Sequence, residues 1–336
     1  MTPARAPGTM EEIAAAVRAL PGLRAKAPIA LVAEVLGGSD WEAGPGDDGA
    51  TVAAGAETLV VGGEAMLPAF VQADPYAAGV AAMLTNVNDL AAMGAEPLAL
   101  VDTIVASEAV ARRALAGLRH ASGLYGVAVV GGHLTISDGP PSLSAFGVGR
   151  AAPGRVLSVR NAAPGQSLLL AGCIEGVMRP DFPFFGSFEA RGGRLAGDVR
   201  TLAAVAAQGA AVAAKDVSMA GILGSLAMLL ECNRLGVTVD LDALPGPEGV
   251  GVVEWLGCFP CLLFLLCAPP DREKDCISAF HERGLVAEVI GMLDATGLLR
   301  ISSNGATATV LDVRSEPVTG LPPAPRSDDD GAPPGR

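Results

Sequence analysis

Apolar and polar positions along the chain fall into two kinds of run. Short apolar runs bounded by turn residues predict strands at 58–63 (TLVVGG), 127–130 (VAVV), 168–172 (LLLAG), 237–241 (VTVDL), 262–267 (LLFLLC) and 286–293 (VAEVIGML). Segments of helical period alternate with them. One begins at Asp74-Pro75, where the carboxylate can cap free N–H groups and proline suits the first turn, and it should stop at Gly94. Others are expected over 108–124, between Ser107 and Gly126, over 198–208, over 219–234 after a Ser218 cap, and over 271–283. Residues 10–36 hold two helical stretches broken at Pro21-Gly22 and ended by Gly37-Gly38. After Arg314 the Pro, Asp and Gly content is too high to bury a core, which predicts a disordered tail. The pattern predicts an α/β (α+β) chain: a helical segment over 1–39, domains over 40–154 and 155–313, and a tail over 314–336.

Composition narrows the function. The 336 residues suffice for two compact units. With 36 acidic against 23 basic side chains the net charge is −13, which repels phosphate backbones and anionic headgroups. No nucleic-acid partner and no membrane partner is therefore expected. The first residues lack the apolar core of a secretory signal. The greasiest run, 256–268, is shorter than the roughly 20 residues a spanning helix needs. A cytoplasmic location is expected. Cys258 and Cys261 form C-F-P-C, but an apolar strand follows where a redox motif would open a helix, and Cys267 and Cys276 are oddly spaced for zinc. The cysteines read as buried reduced thiols.

Four segments carry candidate chemistry, and each has a plain alternative. Asp47 and Asp48 stand between glycines in GDDGA (46–50), a set of oxygens suited to a hard cation and equally to an acidic turn. Asn86 and Asp89 share one face of an apolar helix, where a carboxylate needs a metal, a cation or solvent. Gly131, Gly132 and His133 follow a buried strand, so the glycines admit a ligand, with His133 as phosphate contact, base or structural residue. Lys215, Asp216 and Ser218 lead into a helix whose free N–H groups favour an anion, or which Ser218 simply caps.

Taken in this order, the segments resemble the aminoimidazole-ribonucleotide (AIR) synthase-related superfamily over about residues 40–312. NVNDLAAMGAEPLAL (86–100) is the most specific match, being similar to the Asn-x-x-Asp helix of thiamine-monophosphate kinase. GDDGA resembles that enzyme's acidic loop, VVGGHLT (129–135) its Gly-Gly-Asp-Thr loop, and AAKDVSMAGILGSLAMLLE (213–231) its Asp-Ile-Ser-Asp-Gly helix start. VDLDALP (239–245) and VIG (289–291) fit as well. The resemblance implies a two-domain PurM-like fold with an N-terminal ATP-binding domain, whose sheet forms a homodimer, and a C-terminal α/β domain. It implies ATP and Mg²⁺ as cofactors and γ-phosphoryl transfer to a small-molecule substrate. By motif position it assigns Asp47, Asp48 and Asp89 to metal. Asn86, Asp89, Gly131, Gly132, Lys215 and Ser218 fall to the nucleotide, Asp216 to catalysis through metal or substrate contact, and His133 to catalysis through phosphate or substrate contact.

The sequence departs from the kinase pattern in several places. His133 and Met219 stand where acidic residues are usual, and only Glu64 lies near the place of a further metal-binding Asp. There is no cysteine near the start as in selenophosphate synthetase, no terminal cysteine as in the hydrogenase-maturation enzyme, and no Asp-Gly-Val-Gly-Thr-Lys signature of the purine enzyme. The chain most resembles an AIR synthase-related subgroup similar to thiamine-monophosphate kinase. That subgroup's association with nitrilase-type enzymes implies a pathway partner enzyme in nitrogen metabolism. Two other functions remain on the sequence: a non-catalytic ATP-binding or sensing subunit, motivated by the lost carboxylates, and a dinucleotide-dependent oxidoreductase. The latter lacks the G-x-G-x-x-G turn it requires.

Overall fold

The computed structural model describes residues 8–37, 46–180 and 182–323. The chain opens with short helices, α1 (Met10–Arg18), α2 (Pro21–Arg24) and α3 (Ala30–Leu36). Thr9 and Glu12 form a capping box that starts α1, each bonding the other's backbone N–H. Ile13, Ala14 and Val17 of α1 then pack into the core of the C-terminal domain. Arg18 Nη1 fixes this docking by donating to the carbonyl of Thr309 at 2.8 Å.

The N-terminal domain comprises β1 (Ala50–Ala54), β2 (Glu57–Met66), α4 (Pro68–Ala73), α5 (Pro75–Ala92), β3 (Glu96–Ala106), α6 (Glu108–Tyr125), β4 (Ala128–Ile136) and β5 (Ser142–Ala151). Its sheet runs β1-β2-β5-β3-β4, antiparallel except for the β3–β4 pair that α6 connects. Asp74 caps α5 by accepting from the Ala77 N–H at 3.0 Å, and Gly94 ends the turn at φ 71°. Residues of β3 and β5 alternate in burial, the inner ones facing α5 and α6. The outer face leaves Val61, Val101, Val130 and Phe146 exposed.

The C-terminal domain contains β6 (Ser167–Gly172), β7 (Val177–Met178), β8 (Phe184–Gly186), α7 (Phe188–Arg191), α8 (Leu195–Val199), α9 (Thr201–Ala207), β9 (Ala213–Asp216) and α10 (Gly221–Glu231). It continues with β10 (Gly236–Asp240), α11 (Val252–Leu256), β11 (Phe259–Pro260), β12 (Leu263–Ala268), α12 (Glu273–His281), β13 (Val286–Asp294), β14 (Leu298–Ser303) and β15 (Ala306–Asp312). The main sheet runs β15-β14-β10-β13-β6-β12-β9, with β11-β8-β7 as a small separate sheet. Every residue of β6 and β12 is buried, because both faces of the sheet are covered. Leu169, Ala171, Phe264 and Leu266 join one core with α5 and α6 of the N-terminal domain. Leu168, Leu170, Leu263 and Leu265 face the other way, into a core with α1 and α10. The mixed α/β, two-domain expectation describes this architecture.

Several local expectations are corrected. The run at 127–130 does not break into a glycine loop: β4 continues through Gly131, Gly132 and His133 to Ile136. A Cβ at Gly132 would stand 2.5 Å from the Asp102 carbonyl oxygen and 2.6 Å from its Oδ1, so this glycine makes room for both backbone and side chain of the neighbouring strand. β3 and β5 had no predicted counterpart. Ser218 is not the cap of α10, which begins at Gly221 after Ala220 and has no side-chain cap bond. The chain also stays packed past Arg314. Glu231 accepts from the N–H groups of Val318, Thr319 and Gly320 and from Thr319 Oγ1, all at 2.9–3.1 Å. Residues 324–336, in the expected tail, lie outside the described residues. All six cysteines are buried and none forms a disulfide. No helix among the described residues is long and apolar enough to cross a membrane.

Candidate metal centre

Three carboxylates from separate elements converge where the two domains meet. Asp48 lies in the turn before β1, Asp89 in the last turns of α5, and Asp216 at the end of β9; one oxygen from each lies within 4.8 Å of the others. The continuous apolar core beneath α5 and β12 fixes their spacing. Phe264, which pairs with Asp216 in the β12–β9 register, belongs to that core.

Lys215 and Asp48 tie the cluster together. Lys215 Nζ donates to Asp216 Oδ1 at 2.6 Å and also to Asp48 Oδ1. Asp48 Oδ2 accepts the Asp216 N–H at 3.0 Å. Asp89 is only 8% exposed, yet its carboxylate has no hydrogen bond or ion pair among the described residues. A buried carboxylate left in that condition is costly unless it is protonated or meets a cation.

The electrostatics follow from this crowding. Burial pushes the Asp48 carboxyl up to about 7, with Lys215 pulling it down and Asp216 pushing it up. Burial raises Asp89 well above the usual carboxylate range, and the charges of Asp216, Asp48 and Glu64 add to the effect. Burial alone would lower the Lys215 ammonium, but Asp216 and Asp48 outweigh it and hold it above an ordinary lysine. Oxygen donors of this kind, in a field this negative, suit a small hard cation.

Two further residues belong to the same field. Glu64 on β2 is raised first by burial and then by Asp216, while Lys26 opposes the shift. The sequence noted Glu64 without a role and gave Lys26 none. Lys26 follows α2, whose Gly22 lies against the start of α10: a Cβ there would stand 1.9 Å from the Met219 carbonyl oxygen. The only sequence signal for this approach was the Pro21-Gly22 break.

The remaining candidate residues lie elsewhere or act differently. Asp47 is turned away from the cluster, its oxygens taken by Ser158 Oγ and the Val159 N–H, each at 2.7 Å. It clamps the acidic turn to the segment entering the C-terminal domain. Asn86 is fully buried and donates to the carbonyls of Ala82 and Ala145, joining α5 to β5. Gly131, Gly132 and His133 lie on the edge strand β4, with His133 Nε2 3.2 Å from Thr135 Oγ1. Ser218 stands beside the cluster in sequence, and its buried Oγ has no partner among the described residues. The groove on the outer sheet face, lined by Val61, Val101, Val130 and Phe146, holds no titratable side chain and is separate from this chemistry.

Comparison with known proteins places the chain. An uncharacterized protein of Synechocystis sp. is 33% identical over 279 residues, covering 82% of this chain and 86% of the relative. Thermotoga maritima PurL complexed with ADP has a similar fold, with TM-score 0.70 and 19% identity over 88% of this chain; the chain spans 49% of the PurL length. AaThiL complexed with AMPPCP and TMP gives TM-score 0.61 at 19% identity, covering 84% of this chain and 95% of that one. The N-terminal domain model of AIR synthase related protein matches residues 46–151, and its C-terminal domain model matches residues 194–303. The chain belongs to the AIR synthase-related family.

Proposed function

We propose that this chain is an ATP- and Mg²⁺-dependent enzyme that transfers a phosphoryl group to a small molecule. The observation that carries the reading is the convergence of Asp48, Asp89 and Asp216, with Asp89 buried and unpaired. Asp89 and Asp216 would hold the metal, with Asp48 positioned beside them. A divalent ion there supplies charge neutralisation on the triphosphate during transfer. Lys26, reaching the same field from the lead-in helices, adds positive charge on the side of Glu64. Ser218, with its free Oγ just ahead of α10, offers a hydroxyl to an anionic group. The nucleotides named for PurL and AaThiL support ATP as the donor.

The apolar outer face of the N-terminal sheet supports a homodimer, since exposed Val101, Val130 and Phe146 on one face call for a cover. A single light-scattering mass measurement tests it: Phe146→Glu should convert a dimer into a monomer.

Calorimetric titration with ATP in the presence of Mg²⁺, followed by an assay for ADP release with candidate acceptors, tests the main reading. Absence of both binding and release would end it. Lys215, already seated between two carboxylates, favours a second reading in which the chain binds nucleotide without turning it over. Tight ATP binding with no ADP formed on any acceptor would select that one.

A further inference from the structure

The carboxylates of Asp48 and Asp216 already share a cation. The Lys215 side chain is 4% exposed, and its ammonium contacts both groups. Lys215 pairs with Leu265 in the sheet register, and Leu265 is fully buried, so its stem rises through apolar surroundings. Those two aspartates are its only acceptors among the described residues. Leaving them would strand a buried ammonium, so a metal cannot simply replace it.

What remains is one open position. Asp89 has no partner, and Asp216 engages Lys215 through Oδ1 and leaves Oδ2 without a hydrogen-bond partner among the described residues. Both Asp48 oxygens are engaged, one by Lys215 and one by the Asp216 N–H. Once a bound metal has displaced their protons, the three carboxylates leave two net negative charges against the one ammonium, and Lys26 offsets Glu64, so the balance matches a single divalent ion.

We infer that Lys215 is a tethered cation that fills one of two cation positions in this cluster, so that the protein's own carboxylates take one divalent ion, beside Asp89, and not two. The inference rests on the metal reading above and fixes its stoichiometry. It gives the lysine a defined part, that of a permanent positive charge where a second metal would otherwise be needed.

Counting Mn²⁺ bound per chain, by the electron paramagnetic resonance signal of free Mn²⁺ in a nucleotide-free titration, tests this directly. The wild-type chain should bind one ion, Lys215→Arg should bind one, and Lys215→Met should bind a second ion or hold the first at least tenfold more tightly. Two ions on the wild-type chain would overturn the inference and leave the metal reading standing. An unchanged count and affinity in Lys215→Met would also overturn it. No ion on the wild-type chain would overturn both. The wild-type count needs no variant to fold, and a circular dichroism melt establishes whether Lys215→Met does.

Discussion

Asp48 Oδ2 accepts the backbone N–H of Asp216 at 3.0 Å, joining the acidic turn of the N-terminal domain to the last residue of a C-terminal strand. With Lys215 on its other oxygen, Asp48 is a clamp between domains as well as a member of the carboxylate cluster.

Removing that clamp should therefore be expensive even without ligand. Asp48→Ala leaves a buried ammonium with one partner and a backbone N–H with none, and breaking a buried pair costs about 3–5 kcal/mol. Denaturant unfolding monitored by circular dichroism measures it. A loss below about 1 kcal/mol would show that the clamp is not formed.

Asp89 should behave in the opposite way. Its buried carboxylate has no partner in the metal-free protein, and its neighbours repel it. Asp89→Asn should raise the melting temperature of EDTA-treated protein by at least ~1.4 °C, the shift that about 1 kcal/mol gives in a chain of 336 residues. A drop in melting temperature would mean that the carboxylate has a partner.

The pH dependence of the metal-free protein has a definite sign. Asp48 is raised from 3.8 to about 7 on folding, and Asp89 is raised as well. Between the unfolded and folded values the native state holds more protons than the unfolded one, so stability falls as pH rises. The stabilisation is fully present below the unfolded value and is lost as pH passes through the folded one. Each such carboxyl contributes at most about 1.4 kcal/mol per pH unit. Thermal unfolding in EDTA from about pH 5 to about pH 8 should show this decline, and saturating Mg²⁺ should flatten it.

Glu231 should govern the order of the chain's later residues. Its carboxylate gathers the donors of Val318, Thr319 and Gly320. Glu231→Ala should cost about 1.5–3 kcal/mol and open residues 316–323 to limited proteolysis. Equal cleavage rates in the variant and the wild type would contradict that.

The alternation of apolar strands and helices was legible in the sequence because the apolar runs of β6 and β12, buried throughout, and the half-buried run of β13 are bounded by clear turn residues. The helix after Asp74 was legible from its cap and from Gly94. The two aspartates of the acidic turn could not be told apart, since adjacent residues of one type differ only in where the turn after Gly46, at φ 88°, sends them. One goes to Ser158 and Val159, the other to Lys215 and Asp216. The glycines of β4 misled for a related reason: Gly132 answers to Asp102 on a neighbouring strand, a contact with no local signature. Composition marked the final segment as unable to bury a core, yet Glu231, far earlier in the chain, supplies the partner that holds part of it.

The most direct test of the central claim is Mn²⁺ affinity in the presence of AMPPCP, measured on wild-type and Asp89→Asn protein by electron paramagnetic resonance. If Asp89 and Asp216, with Asp48 beside them, bring a divalent ion to the triphosphate, the variant should bind Mn²⁺ at least tenfold more weakly while melting no lower than the wild type. Equal affinity in the two proteins would place the metal elsewhere and contradict the account.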